Sequence, residues 1–180
     1  MKLIKISLPG VLIIENEVFK DSRGSLCEVY KDSLFNEKLG FKNVMEIEVE
    51  SRKGVLRGLH YQLEPYTQGK IVRVVNGSIL DVVVDIRRSS KTFGKWSSNI
   101  LTSTKKNQIY VPRGFAHGYS TLENNTKLIY QMDNYYNFEA SRGIAYDDND
   151  LAINWDLTKT PILSEQDKNL PTLMRAEVFE

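Results

Sequence analysis

Between residues 10 and 136 apolar and polar side chains alternate with a period of two, the mark of strands with one face in a core and the other in water. The run GVLIIENEVFKDSRGSLCEVY reads as two strands joined by the turn KDSRG, where Asp21, Ser22 and Gly24 supply turn chemistry. Further strand-length runs follow: VMEIEVES, GVLRGLHYQ, GKIVRVVNGSILDVVVDI, KWSSNILTS, NQIYVPRGFAHGYSTL and TKLIYQMDNYY. Asn76-Gly77, set between two alternating runs, predicts a two-residue hairpin of type I′. Only SLFNEKLG, residues 33–40, reads as an early helix, with Ser33 to cap it and Gly40 to end it. Short strands separated by turns predict an all-β sandwich or barrel. Past residue 147 the alternation lapses into DDNDLAINW and a tail with short helical potential. The expectation is one domain over residues 1–180, with its core at about 10–147 and an irregular C-terminal extension over about 148–180.

Composition narrows the class. A chain of 180 residues is long enough for one domain with a sizeable core. The net charge of +1 provides no general field for nucleic acid or anionic membrane, so any anion site must be local. The lone Cys27 rules out an internal disulfide and fits a reducing compartment. The start MKLIKISLPGVLIIENEVF meets Glu15 and Glu17 too early, and lacks the small-residue cleavage site of a secretory signal. No run approaches the roughly 18 apolar residues of a membrane helix. These features point to a soluble cytoplasmic protein with neither nucleic acid nor membrane as a partner.

The chain has only two histidines. His60 lies in GVLRGLHYQ and His117 in PRGFAHGYS, each beside glycine and close to an arginine. A metal reading needs three or four ligands, often two histidines two apart on one strand, and no such pair exists. A lone histidine on an apolar strand is more often a core residue, but His60 has Arg57 three positions before it and Lys70 ten after it. If a hairpin brings Lys70 back to His60, two cations beside an imidazole suit an anionic ligand. The same set suits enolate chemistry, in which a base removes a proton next to a carbonyl and a cation stabilises the charge built on oxygen. Asp81 and Asp85, four apart in SILDVVVDIR, share one strand face with Val83 between them. They read either as paired catalytic carboxylates or, with more weight, as strand-end groups bonding neighbouring turns.

Taken together, RGLHYQ, DIRRSSKTFGKW and PRGFAHG, with LIYQMDNYY, GIAYDD, INW and LSEQD in matching order, resemble the dTDP-4-dehydrorhamnose 3,5-epimerase family. The similarity runs from VFKDSRG to LSEQD. It implies a cupin-type jelly-roll β-sandwich, with short helices at the N-terminal side and in the C-terminal extension. It further implies a homodimer that works without metal or organic cofactor on a nucleoside-diphosphate 4-keto-6-deoxyhexose, a dTDP-linked one. By the resemblance His60 is the base, Asp167 its carboxylate partner, Lys70 the stabiliser of the enolate oxygen, and Tyr130 the acid on the opposite sugar face. Arg23 and Arg57 match residues near the diphosphate and sugar, and Phe19 and Glu28 match residues at the nucleotide end. Tyr136 matches an aromatic that stacks on the base, and His117 a histidine beside the pocket. N-terminal residues such as Phe19 and Arg23 are implied to serve the partner subunit's site.

The chain departs from the family pattern at Met45 and Ile47, where glutamine and asparagine are usual, and at Phe138, Ser141 and Tyr146. These changes spare the four proton-transfer residues but bear on substrate choice. Two other outcomes stay open at this level. One is a relative with altered output, either a 3- or 5-monoepimerase or a 3,4-ketoisomerase. The other is a nucleotide-sugar binder, which would need the arginines and the aromatic but no base with a carboxylate partner.

Overall fold

The computed structural model describes residues 1–180. In chain order its strands are β1 (Lys2–Lys5), β2 (Leu12–Glu15), β3 (Val18–Asp21), β4 (Gly24–Cys27), β5 (Met45–Ser51), β6 (Leu56–Gln62) and β7 (Lys70–Asn76). They continue as β8 (Ser78–Asp85), β9 (Trp96–Thr102), β10 (Gln108–Val111), β11 (Phe115–Thr121), β12 (Thr126–Met132) and β13 (Ser141–Gly143). Two single-turn helices are present, α1 (Asp32–Phe35) and α2 (Glu165–Lys168).

Six strands form one antiparallel sheet in the order β1-β2-β10-β7-β12-β5, and five form a second in the order β13-β6-β11-β8-β9. The fold is the cupin-type β-sandwich that the sequence predicts. Between the sheets lies a core that includes Val72 and Val74 of β7, Ile79 and Val83 of β8, Phe115 and Tyr119 of β11, and Leu128 of β12. A second core covers the other face of the five-stranded sheet. Leu59, Tyr61, Leu80, Val82 and Val84 pack there against Ile144, just after β13, and against Leu151, Trp155, Leu173 and Ala176 of the C-terminal extension. All eight residues of β8 are therefore buried. A small third core seats α1 through Phe35, against Ile14, Phe41 and Ile71.

Three local expectations need correction. Asn76-Gly77 does not close a hairpin: β7 pairs with β10 and β12, whereas β8 pairs with β11 and β9 in the other sheet. Val72, Val74, Ile79 and Val83 share one core, so the two apolar faces are met by facing each other across the sandwich rather than by pairing edge to edge. Gly77 is needed at that crossing, with φ +79° and a would-be Cβ 2.4 Å from Thr126 Oγ1. For the same reason Lys70 does not reach His60 through a hairpin; β6 and β7 belong to opposite sheets. The early helix is shorter than residues 33–40: it covers Asp32–Phe35 with Lys31 at its start and no side-chain cap, so Ser33 lies inside it. Gly40 does end the segment, at φ +67° and with its N–H donating to Asn36 O.

The turn KDSRG does join two strands, but these are β3 and β4, which form a separate exposed hairpin after β2. Phe19 and Leu26 stand 55% and 66% exposed on it, an apolar surface that nothing in this chain covers.

Candidate active site

The open end of the sandwich holds a cleft of about 390 Å³ lined by residues from both sheets and from the C-terminal extension. Strand β6 places Arg57 and His60 in it together, three residues apart, which strict alternation forbids. The pairing of β6 with β11 explains how. His60 stands opposite His117 and Arg57 opposite Tyr119, so β6 spends three steps where β11 spends two. That extra residue is a β-bulge, which re-aims one side chain. The bulge brings Gly58 and Gly118 back to back: a Cβ on Gly58 would lie 2.5 Å from Gly118 Cα, and one on Gly118 would lie 2.8 Å from Arg57 O. Only glycine permits such an approach.

His60 is hydrogen-bonded through Nε2 to Asp167 Oδ1 at 2.6 Å. A carboxylate only accepts, so Nε2 carries a proton, and in the neutral form of the ring Nδ1 holds the lone pair. Asp167 is held by its own turn. The Ser164 hydroxyl donates to Asp167 Oδ2 at 2.8 Å, and the Asp167 backbone N–H donates back to Ser164 Oγ at 3.1 Å, capping α2. Burial raises the Asp167 carboxyl, but the hydrogen bond and charge of His60, with Ser164 and the Gly58 amide, outweigh it and hold the group below its ordinary range. Asp167 is thus an anion 4% exposed, while the His60 side chain is 35% exposed toward the cleft.

The opposite wall comes from the six-stranded sheet. Lys70 and Tyr130 line the same cleft from β7 and β12. Burial drives the Lys70 ammonium down to about 8, with Asp81 pulling the other way. Burial pushes the Tyr130 phenol well above its ordinary value, and Tyr119 and Asp81 add to the effect. At neutral pH Lys70 is a cation and Tyr130 a neutral donor. His117 also borders the cleft, though its side chain is only 3% exposed, and its Nε2 bonds Asp81 Oδ2 at 2.7 Å. Tyr136 stands at the mouth.

Seven of the ten residues singled out from sequence therefore meet in one cleft: Arg57, His60, Lys70, His117, Tyr130, Tyr136 and Asp167. The structure does not bring Phe19, Arg23 or Glu28 to it. Phe19 and Arg23 lie on the exposed hairpin, where Arg23 folds onto Asp21 at 2.6 Å, and Glu28 follows β4 at the surface. No group of three or more His, Cys, Asp or Glu side chains is arranged to hold a metal ion.

Sequence reading underweighted two residues. Asp81 proves to be the partner of His117, and a charged residue inside a strand of otherwise apolar side chains was the signal for such a partner. Asp85 follows the plainer reading, bonding Arg87, Ser90 and Thr92 of the next turn. Ser164, which orients Asp167, was legible as the serine of an S-x-x-D cap.

The family model for dTDP-4-dehydrorhamnose 3,5-epimerase matches residues 5–175. The enzyme of that name from Shigella flexneri is 44% identical over 181 residues, covering 99% of this chain and 99% of its own. Among solved structures, the Legionella pneumophila dTDP-6-deoxy-D-glucose-3,5-epimerase in complex with dTDP-4-keto-L-rhamnose superposes with a TM-score of 0.92 at 39% identity, over 97% of this chain and 93% of that one. A 3′-monoepimerase from Streptomyces bikiniensis in complex with dTDP-quinovose reaches a TM-score of 0.90 at 30% identity, over 95% and 87%.

Proposed function

The chain belongs to the dTDP-4-dehydrorhamnose 3,5-epimerase family, and on that premise we propose that it inverts carbons 3 and 5 of a dTDP-linked 4-keto-6-deoxyhexose. The observation that carries the assignment of roles is the 2.6 Å bond between His60 and buried Asp167, in a cleft that Lys70 and Tyr130 border from the facing sheet.

Carbons 3 and 5 flank the ketone at carbon 4, so their hydrogens are acidified by it. Nδ1 of His60 takes one of these protons, and the bonding electrons move onto the carbonyl oxygen to form an enolate. Asp167 favours the imidazolium that results. The Lys70 ammonium stabilises the negative oxygen. Tyr130 then gives its hydroxyl proton to the carbon from the other face, which inverts it; the imidazolium releases its proton to solvent and the phenolate takes one back from solvent, and the cycle repeats at the second carbon. Arg57 suits the diphosphate and Tyr136 the thymine ring.

Phe19, Arg23 and Glu28 are assigned to the site of a partner subunit in a homodimer, with the exposed apolar hairpin as the reaching element. The unpaired Cys27 fits a cytoplasmic enzyme. No helix of the chain is long and apolar enough to cross a membrane.

The test is deuterium entry from heavy water into dTDP-4-keto-6-deoxyglucose, followed by NMR. Label at both carbons with inverted configuration is expected, and His60→Asn should abolish it. Label at one carbon alone would make the chain a monoepimerase, and a carbonyl moved to carbon 3 would make it a ketoisomerase. Tight binding with no label would leave only a nucleotide-sugar binder.

A further inference from the structure

Tyr119 of β11 is fully buried in the core between the sheets. Its ring fills that core as any aromatic would. Its hydroxyl oxygen is buried as well, with no hydrogen-bond partner. A buried polar atom left unpaired is uncommon in a folded protein and costs stability. Phenylalanine would fill the same space without that cost, so the oxygen calls for a reason other than packing.

The surroundings of the oxygen supply one. Tyr119 and Tyr130 come from facing sheets, with ring centroids 6.3 Å apart and planes tilted by 46°. Arg57 is the register partner of Tyr119 across β6 and β11. The Arg57 Nε and Nη2 groups both donate to Oγ of Ser51, at 3.4 Å, at the end of β5. Burial raises the Tyr119 phenol, but the Arg57 charge and the nearness of Ser51, Tyr130 and Arg57 as donors pull against it. Tyr130 is placed differently. Burial, Tyr119 and the Asp81 carboxylate all raise its phenol, and Arg57 offsets them only in part. A negative charge shared by these two phenols therefore sits better on Tyr119 than on Tyr130.

On the roles assigned above, Tyr130 becomes a phenolate each time it protonates a carbon, close to the charge of Asp81. We propose that Tyr119 then passes its own hydroxyl proton to Tyr130. The O–H bond of Tyr119 breaks as that of Tyr130 re-forms, and the negative charge rests on Tyr119, beside Arg57 and Ser51, until solvent returns a proton to the pair. Tyr119 touches no substrate and acts only through Tyr130. The inference rests on the epimerase reading and deepens it.

Tyr119→Phe deletes the one oxygen in question. The variant is given dTDP-4-keto-6-deoxyglucose in heavy water, and exchange and inversion are read from the same NMR spectra. Exchange from the His60 face should stay near the wild-type rate, while inversion falls about tenfold, the low end for loss of a group that supports a functional residue. The melting temperature should be no lower than that of the wild type, because the deleted hydroxyl had no partner. In Tyr119→Phe/Tyr130→Phe inversion should fall no further than in Tyr130→Phe alone, since residues that act as one unit are not additive. Wild-type inversion by Tyr119→Phe overturns the inference, and so does a further loss in the double variant. Exchange and inversion reduced by one factor, with a lower melting temperature, would overturn it too, making the hydroxyl a prop of the cleft. A wild type that neither exchanges nor inverts would instead bring down the epimerase reading.

Discussion

His60 and His117 are register partners on adjacent strands, yet each is bound to its own carboxylate, Asp167 at 2.6 Å and Asp81 at 2.7 Å. The two histidines are thus separate hydrogen-bonded pairs with different exposures. His60 opens to the cleft at 35%, whereas His117 and Asp81 are at 3% and 0%. The first pair is placed to exchange protons with a ligand. The second is a buried support that also brings negative charge toward Lys70.

The roles proposed for His60 and Tyr130, which line the cleft from facing sheets, lead to a split between exchange and inversion. Tyr130→Phe leaves His60, Asp167 and Lys70 in place, so deuterium should still enter the substrate from the His60 face. Inversion should fall by about 10²–10⁴-fold, the usual worth of a positioned proton donor. NMR of recovered substrate measures both at once. Normal inversion by Tyr130→Phe would assign the acid elsewhere.

The depressed Lys70 group sets the alkaline side of the pH profile. Lys70 is charged below about 8 and neutral above it, and the enolate needs the charge. Activity as kcat/KM should therefore fall as pH rises through about 8. In kcat the limb should lie higher, because a bound diphosphate favours the ammonium. Lys70→Arg keeps a cation at all accessible pH values, so its activity, though lower, should lose this limb. Initial rates from neutral to strongly alkaline pH decide the matter, and an unchanged limb in Lys70→Arg would assign it to another group.

Ser164 gives a test of how Asp167 is held. Ser164→Ala removes both the cap of α2 and the hydroxyl on Asp167 Oδ2. Loss of a cap costs about 1 kcal/mol in stability. The carboxylate should also lose its aim, lowering kcat by about tenfold with KM little changed, by analogy with residues that orient a functional ligand. Ser164→Thr should restore most of the rate. Equal loss in kcat and stability from Ala and Thr alike would mean that Ser164 serves only the turn.

What was legible in the sequence follows from what alternation encodes. Period-two runs locate the strands that line the cleft, since each turns one face to a core: β7, β11 and β12 to the one between the sheets, and β6 to the one under the C-terminal extension. Alternation does not say which strands pair, so it predicts a hairpin at Asn76-Gly77, where the chain instead crosses between two sheets. It also fails at a bulge: strict alternation sets Arg57 and His60 on opposite faces, and only the pairing with β11 shows both in the cleft. Asp167 stands 107 residues from His60, and no local pattern links them. The resemblance to a family singled it out, through LSEQD. The partnership of His117 and Asp81 is hidden from sequence because a strand-face argument treats the two aspartates of β8 alike, while the fold gives one to a histidine and the other to a turn.

Asp81 carries the sharpest stability prediction. It is fully buried, and its one hydrogen-bonded partner is the nearly buried His117. Removing one member of a buried pair leaves the other unsatisfied, at a cost of about 3–5 kcal/mol. Asp81→Ala should therefore lower the melting temperature by about 6–20 °C, at about 2–4 °C per kcal/mol for a chain of this size. Asp81 also raises the pKa of Lys70 through its charge, so its loss should move the alkaline limb of kcat/KM to lower pH. Asp81→Asn separates the two effects. It keeps a polar group beside His117 and should recover part of the melting temperature, yet it carries no charge and should show the same displaced limb. Thermal denaturation and a pH–rate profile on the two variants check the pair of claims. A limb left in place in both would show that Asp81 supports the fold without acting on Lys70.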